Sequence, residues 1–96
     1  PGPLFARNYF GILEEETLLK EGKEYRKITP KETIFPWIQL KFITPHGHGE
    51  LTITDILDKK GKELEKADCN TSEVFISTDQ KTEAAMLLYS SDQSKR

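Results

Sequence analysis

Two runs of strict alternation, parted by a Pro- and Gly-rich break, constrain this 96-residue chain more than any other feature. From Trp37 to Ile43, the apolar residues Ile38, Leu40 and Phe42 fall on one side, with Gln39 and Lys41 between them. From Glu50 to Thr54, Leu51 and Ile53 alternate with Thr52 and Thr54. A period of two is the signature of a half-buried strand, and two such runs across a short break read as a β-hairpin. Pro45 cannot extend the first strand, and Gly47 and Gly49 are available where the break needs positive φ. The stretch 33–57 also holds the only Trp and two of the five Phe. It is read as the centre of a small β domain.

The rest of the chain extends that pattern. Apolar density rises from Tyr9 to Leu13, and Glu73–Thr78 is a further strand around Val74, Phe75 and Ile76. Asp79–Thr82 turns the chain, and Ala84–Tyr89 is the partner strand. Glu63–Asp68 reads as a weak strand around Leu64 or as a helical turn. The region 14–28 admits two readings. As a helix over about 13–22, it offers acids early and Gly22 as a C-cap, which gives an α+β fold. As two strands, it turns at Glu21-Gly22. The strand reading is preferred because Lys20-Glu21-Gly22-Lys23-Glu24 is nearly repeated by Lys59-Lys60-Gly61-Lys62-Glu63, and a Gly flanked by lysines suits a hairpin tip. The expected fold is therefore all-β, a small antiparallel β-sandwich or barrel of about six to eight short strands. The expected core draws on Phe10, Ile12, Ile34, Trp37 or Ile38, Leu40, Phe42, Leu51, Ile53, Ile56, Val74, Ile76, Leu87 and Tyr89.

One domain is expected over 9–90, with an irregular lead-in over 1–8, anchored by Leu4 and Phe5, and a frayed polar tail over 91–96. A chain of this length buries only about 60–65% of its unfolded surface, so its core is thin. The start Pro1-Gly2-Pro3, without Met, reads as a processed product or a fragment of a longer protein. No apolar run reaches the ~18–20 residues of a membrane span. The single Cys excludes an intrachain disulfide and favours an intracellular setting. Asn70-Thr71-Ser72 fits an N-glycosylation acceptor, so an extracellular immunoglobulin-like adhesion module stays among the alternatives. The turn-rich β pattern is common to immunoglobulin-like, C2-like and many other modules, and no residue set selects one.

Chemistry-bearing motifs are sparse. His46-Gly47-His48-Gly49-Glu50 would place two His and one carboxylate on one side of an extended chain, a three-ligand set for zinc. Its glycines loosen the backbone, and the plainer reading is a solvated loop, so no metal and no other cofactor is expected. Cys69 would need His46 or His48 as a base to act as a nucleophile, and nothing in the sequence places them together. Glu14, Glu15 and Glu16 read as a solvated face. No enzyme is expected. Basic residues gather near the turns (Lys20, Lys23, Arg26, Lys27 and Lys31, then Lys59, Lys60 and Lys62) and would suit phosphates, yet interleaved acids and a net charge of −2 speak against nucleic acid. Phe35-Pro36-Trp37 is the best recognition element: an aromatic pair around a Pro at a sheet edge would anchor a partner. The simpler alternative is that Trp37 plugs one end of the core. The chain is thus read as a non-catalytic protein–protein interaction or self-association domain of a larger protein, with a nucleic-acid-associated accessory domain as a further alternative.

Overall fold

The structure, a computed structural model, describes residues 8–90. Six strands follow one another: β1 (Asn8–Lys20), β2 (Lys23–Ile28), β3 (Gln39–Thr44), β4 (Gly47–Leu57), β5 (Val74–Thr78) and β6 (Leu87–Ser90). They close into an antiparallel barrel in the order β1-β2-β5-β4-β3-β6. The all-β expectation holds, and among the described residues no helix forms, so 13–22 is strand. The lead-in and the tail expected over 1–8 and 91–96 lie outside the described residues, apart from Asn8, which opens β1.

Closure is the work of β1. Its first part pairs with β6, from Asn8 opposite Ser90 to Ile12 opposite Leu87. Its second part pairs with β2, from Leu13 opposite Ile28 to Lys20 opposite Lys23. The register slips between Tyr9 and Gly11 and again between Leu13 and Thr17. Such irregularities bend a strand enough to let it serve two halves of a barrel. Gly11 adopts a φ of 129°, and a Cβ there would come within 2.9 Å of the Thr29 carbonyl oxygen. Arg26 secures the second slip: its guanidinium donates to the Glu14 carbonyl at 2.8 Å and to the Thr82 hydroxyl at 2.9 Å. It thereby satisfies backbone that the slip leaves out of the ladder.

The slips also decide the core. Phe10 and Leu13 are both buried, and Ile12 is 44% exposed, which corrects the expectation that Ile12 faces inward. At β6 the inward residue is Leu88, while the expected Leu87 and Tyr89 are only partly buried. Strand β5 is buried along Val74–Ser77. Val74 and Ile76 enter the main cluster, whereas Phe75 joins Tyr25 and Leu57 in a second one, under Leu18. By strand alternation the two clusters sit on opposite faces of β5. Ala67, Met86 and Ile28 complete the main core and carry no period in the sequence.

One hairpin turn behaves as read, and the other is shorter than expected. Glu21 and Gly22 both take positive φ, as a two-residue type I′ hairpin requires. The central hairpin turns at Pro45-His46, with Thr44 opposite Gly47, and β4 begins at Gly47, before the expected Glu50. Gly49 is therefore strand. A Cβ there would meet the Phe42 ring at 2.9 Å, so Gly49 makes room for that ring. Glu63–Asp68 forms no full strand; it contributes single bridges, Leu57 with Glu63 and Ile34 with Ala67.

If β1 closes the barrel through a bulge that only Gly fits, Gly11→Ala should cost about 3 kcal/mol of unfolding free energy, combining strained φ with a backbone clash. Urea denaturation measures it. A loss below ~0.5 kcal/mol would show that the bulge relaxes freely.

Candidate functional site

Between β2 and β3 the chain makes an excursion whose centre is Phe35-Pro36-Trp37. The Ile38 amide donates to the Phe35 carbonyl at 3.2 Å, and Trp37 has a φ of 73°. Pro at the second position and positive φ at the third define a type II β-turn, a place that normally selects Gly or Asn. Here it carries the only Trp of the chain. Trp37 is 72% exposed and Phe35 48% exposed. The plug reading of Trp37 is thereby corrected: Ile38, its alternative, is the one packed against the core.

The turn is fixed from both sides. Ile34 exchanges hydrogen bonds with Ala67 at 2.7 and 2.9 Å. The Trp37 amide donates to the Ile53 carbonyl at 2.5 Å, and the Ile53 amide donates back to Ile38 at 2.9 Å. A bulky residue at positive φ persists only where the surroundings impose it, and such positions gather at sites of function. The turn is not a sheet edge, however. Nor is Leu87–Ser90, since β6 pairs with β1 on one side and β3 on the other. An added strand would therefore find no open backbone ladder along Leu87–Ser90.

A groove runs beside the turn, lined by Pro36, Asp55, Ile56, Glu63, Leu64 and Glu65. The Leu57–Glu63 bridge and the Leu64 amide, which donates to the Ile56 carbonyl at 2.8 Å, hold 63–65 against β4, and the Ile34–Ala67 bridge ties the residues that follow to the start of the turn. Asp55 is tied to Lys23 at 2.8 Å and accepts from the Ser77 hydroxyl at 3.2 Å. The hydrogen bond from Lys23 holds the Asp55 carboxyl below its ordinary value, against the opposing push of burial, and raises the pKa of Lys23 in return. Among the described residues, Glu63 and Glu65 make no ion pair. Sequence reasoning overlooked this groove because 63–65 shows neither period, and its only signal was the Glu-Leu-Glu triplet.

The other candidates stay apart. His46 and His48 are exposed at the β3–β4 turn, and Glu50 pairs with Lys41 at 2.9 Å. Among the described residues, no three His, Cys, Asp or Glu gather where they would hold a metal ion. Cys69 is exposed in the loop before β5, where the Asp68 carboxylate accepts from the Asn70 amide, and no hydrogen bond joins it to either His. Asn70 is exposed in the same loop. The two lysine-bearing tips do share one end of the barrel, since Lys20 donates to the Gly61 carbonyl at 2.7 Å. Nearby cations are engaged: Lys23 with Asp55, and Lys27 with Glu16 at 2.6 Å and Glu73 at 3.7 Å. On the outer face, Ile12, Leu87 and Ile43 line up across β1, β6 and β3, a row the expected inward placing of Ile12 and Leu87 had hidden.

No protein-family model matches the chain, and no curated protein matches it. Solved structures do. The C-terminal domain of a Geobacillus thermoleovorans protein assigned to the U32 peptidases superposes with a TM-score of 0.68 at 15% identity, covering 86% of this chain and 99% of that one. A second structure of that domain gives 0.66 at 15% identity, covering 86% and 91%. The likeness is one of fold. Among the described residues no helix is long and apolar enough to cross a membrane.

Relieving the turn isolates the cost of presenting Trp37. Trp37→Gly should raise the unfolding free energy by about 1 kcal/mol, because Gly takes positive φ freely and the lost ring is largely solvated. Thermal or urea unfolding checks the sign; a clear loss of stability would mean the indole is packed after all.

Proposed function

We propose that this chain is a non-catalytic accessory domain of a larger protein, and that it binds another protein through the Phe35-Pro36-Trp37 turn. The observation that carries this is the exposure of a Trp at a positive-φ position pinned to β4 and to Ala67. A solvent-exposed Trp in an unfavourable backbone conformation adds nothing to the stability of the free domain. Trp is also the residue richest in binding energy per side chain, and a rigid turn spares the entropy of ordering it on contact. The accessory role is supported by the fold, which is that of a domain cut from the C-terminal end of a longer protein. An exposed free thiol at Cys69 fits a reducing, intracellular compartment.

Selection of a random peptide library on the intact chain, followed by mapping of amide shifts, tests the proposal. Selected peptides should perturb the Trp37 indole signal and lose at least about tenfold in affinity for Trp37→Ala, as expected for a Trp anchor. Ligands that map elsewhere and ignore that substitution would refute it.

A further inference from the structure

Given that proposed role, the groove beside the turn bears on the chemistry of the partner. The groove beside the turn is half apolar, through Pro36, Ile56 and Leu64, and half acidic, through Asp55, Glu63 and Glu65. Lys23 neutralises Asp55, which leaves Glu63 and Glu65 as net negative charge, both exposed and neither ion-paired among the described residues. Lys62 and Lys66 flank this stretch in sequence without lining the groove. With an overall charge of only −2, the chain has no broad field, so any attraction here is local.

Trp37 directly follows Pro36, which shares the groove wall with Glu63 and Glu65, and an exposed indole at the rim of an acidic groove suits one ligand chemistry better than others. The face of an indole attracts cations, and Arg or Lys can spread an aliphatic stem over apolar surface while the charged head reaches a carboxylate. An anionic peptide or a nucleic-acid phosphate would meet repulsion from Glu63 and Glu65 at the same place. We infer that the Phe35-Pro36-Trp37 turn and the Pro36–Asp55–Glu63–Glu65 groove together receive an extended, Arg- or Lys-bearing segment of another polypeptide. The cationic head pairs with Glu63 and Glu65, and the stem or a neighbouring side chain covers Trp37.

Trp37 is the single Trp of the chain, so its emission reports on the site directly. The test titrates the intact chain with acetylated hexa-arginine, acetylated hexaglutamate, a neutral proline-rich peptide and a single-stranded oligonucleotide. Hexa-arginine should give a saturable change in Trp37 emission that weakens with added salt. Its affinity should fall at least about tenfold in the conservative double variant E63Q/E65Q, in keeping with the loss of two charge-assisted contacts. An unchanged melting transition for E63Q/E65Q shows that it folds. If the neutral peptide changes the emission and hexa-arginine does not, the turn is still a binding site and the cationic partner is wrong. If E63Q/E65Q binds hexa-arginine as the parent does, the groove is not the receptor and the inference falls. Response to hexaglutamate or to the oligonucleotide instead overturns it, and silence toward all four overturns the inference together with the binding role of the turn.

Discussion

Barrel closure rests on the passage of one strand through a crowded point. Where β1 leaves β6 for β2, its backbone runs so close to Thr29 that there is no space for a Cβ at Gly11, and the chain adopts a φ of 129°. The Lys31 amide reaches back to the Phe10 carbonyl at 3.1 Å, which ties the exit of β2 to the same place. Without that bend, the two halves of the barrel would each keep an open edge. With it, a short chain buries its apolar residues around one ring of strands and adds a second, smaller cluster on the outer side of β5. Small domains have little core to spare, so this economy matters.

Closure has a consequence for recognition. Strands β3 and β6 have neighbours on both sides, so the region around the central hairpin offers turns and outer faces, and not a backbone ladder, to another chain. Positive φ falls on Gly22 and Gly61, which tolerate it, and also on Glu21 and Ala85, which carry a Cβ but no large apolar side chain. The turn at Phe35–Ile38 places Trp there. It is held by backbone hydrogen bonds to Ile53 and, through Ile34, to Ala67, so the ring can be displayed without being needed to hold the turn. The scaffold imposes the geometry, and the side chain is left exposed.

Much of this architecture was legible in the residues. The alternation of Ile38–Phe42 and of Leu51–Ile53 set the hairpin and its inward face, and the recurrence of Lys and Gly at two tips favoured strands over a helix at 14–28. What was not legible followed from local departures from period two. A slip near Gly11 carries Phe10 and Leu13 inward and turns Ile12 out. Gly49 looks like loop punctuation, yet it is strand, emptied for the Phe42 ring. Trp37 has the composition of a core residue, and only the turn type, set jointly by Pro36 and contacts to Ile53, exposes it. Glu63 to Glu65 acquires its place from tertiary contacts alone: the Leu57–Glu63 bridge, the Leu64 amide on the Ile56 carbonyl, and the Ile34–Ala67 bridge beyond.

Whether a rigid turn presents Trp37 to solvent is read most directly from its own fluorescence, since no other Trp contributes. In the free chain, emission should lie near that of a hydrated indole and be quenched efficiently by acrylamide. A blue-shifted emission that acrylamide scarcely touches would instead show Trp37 sealed in the core and rule out its display by the turn.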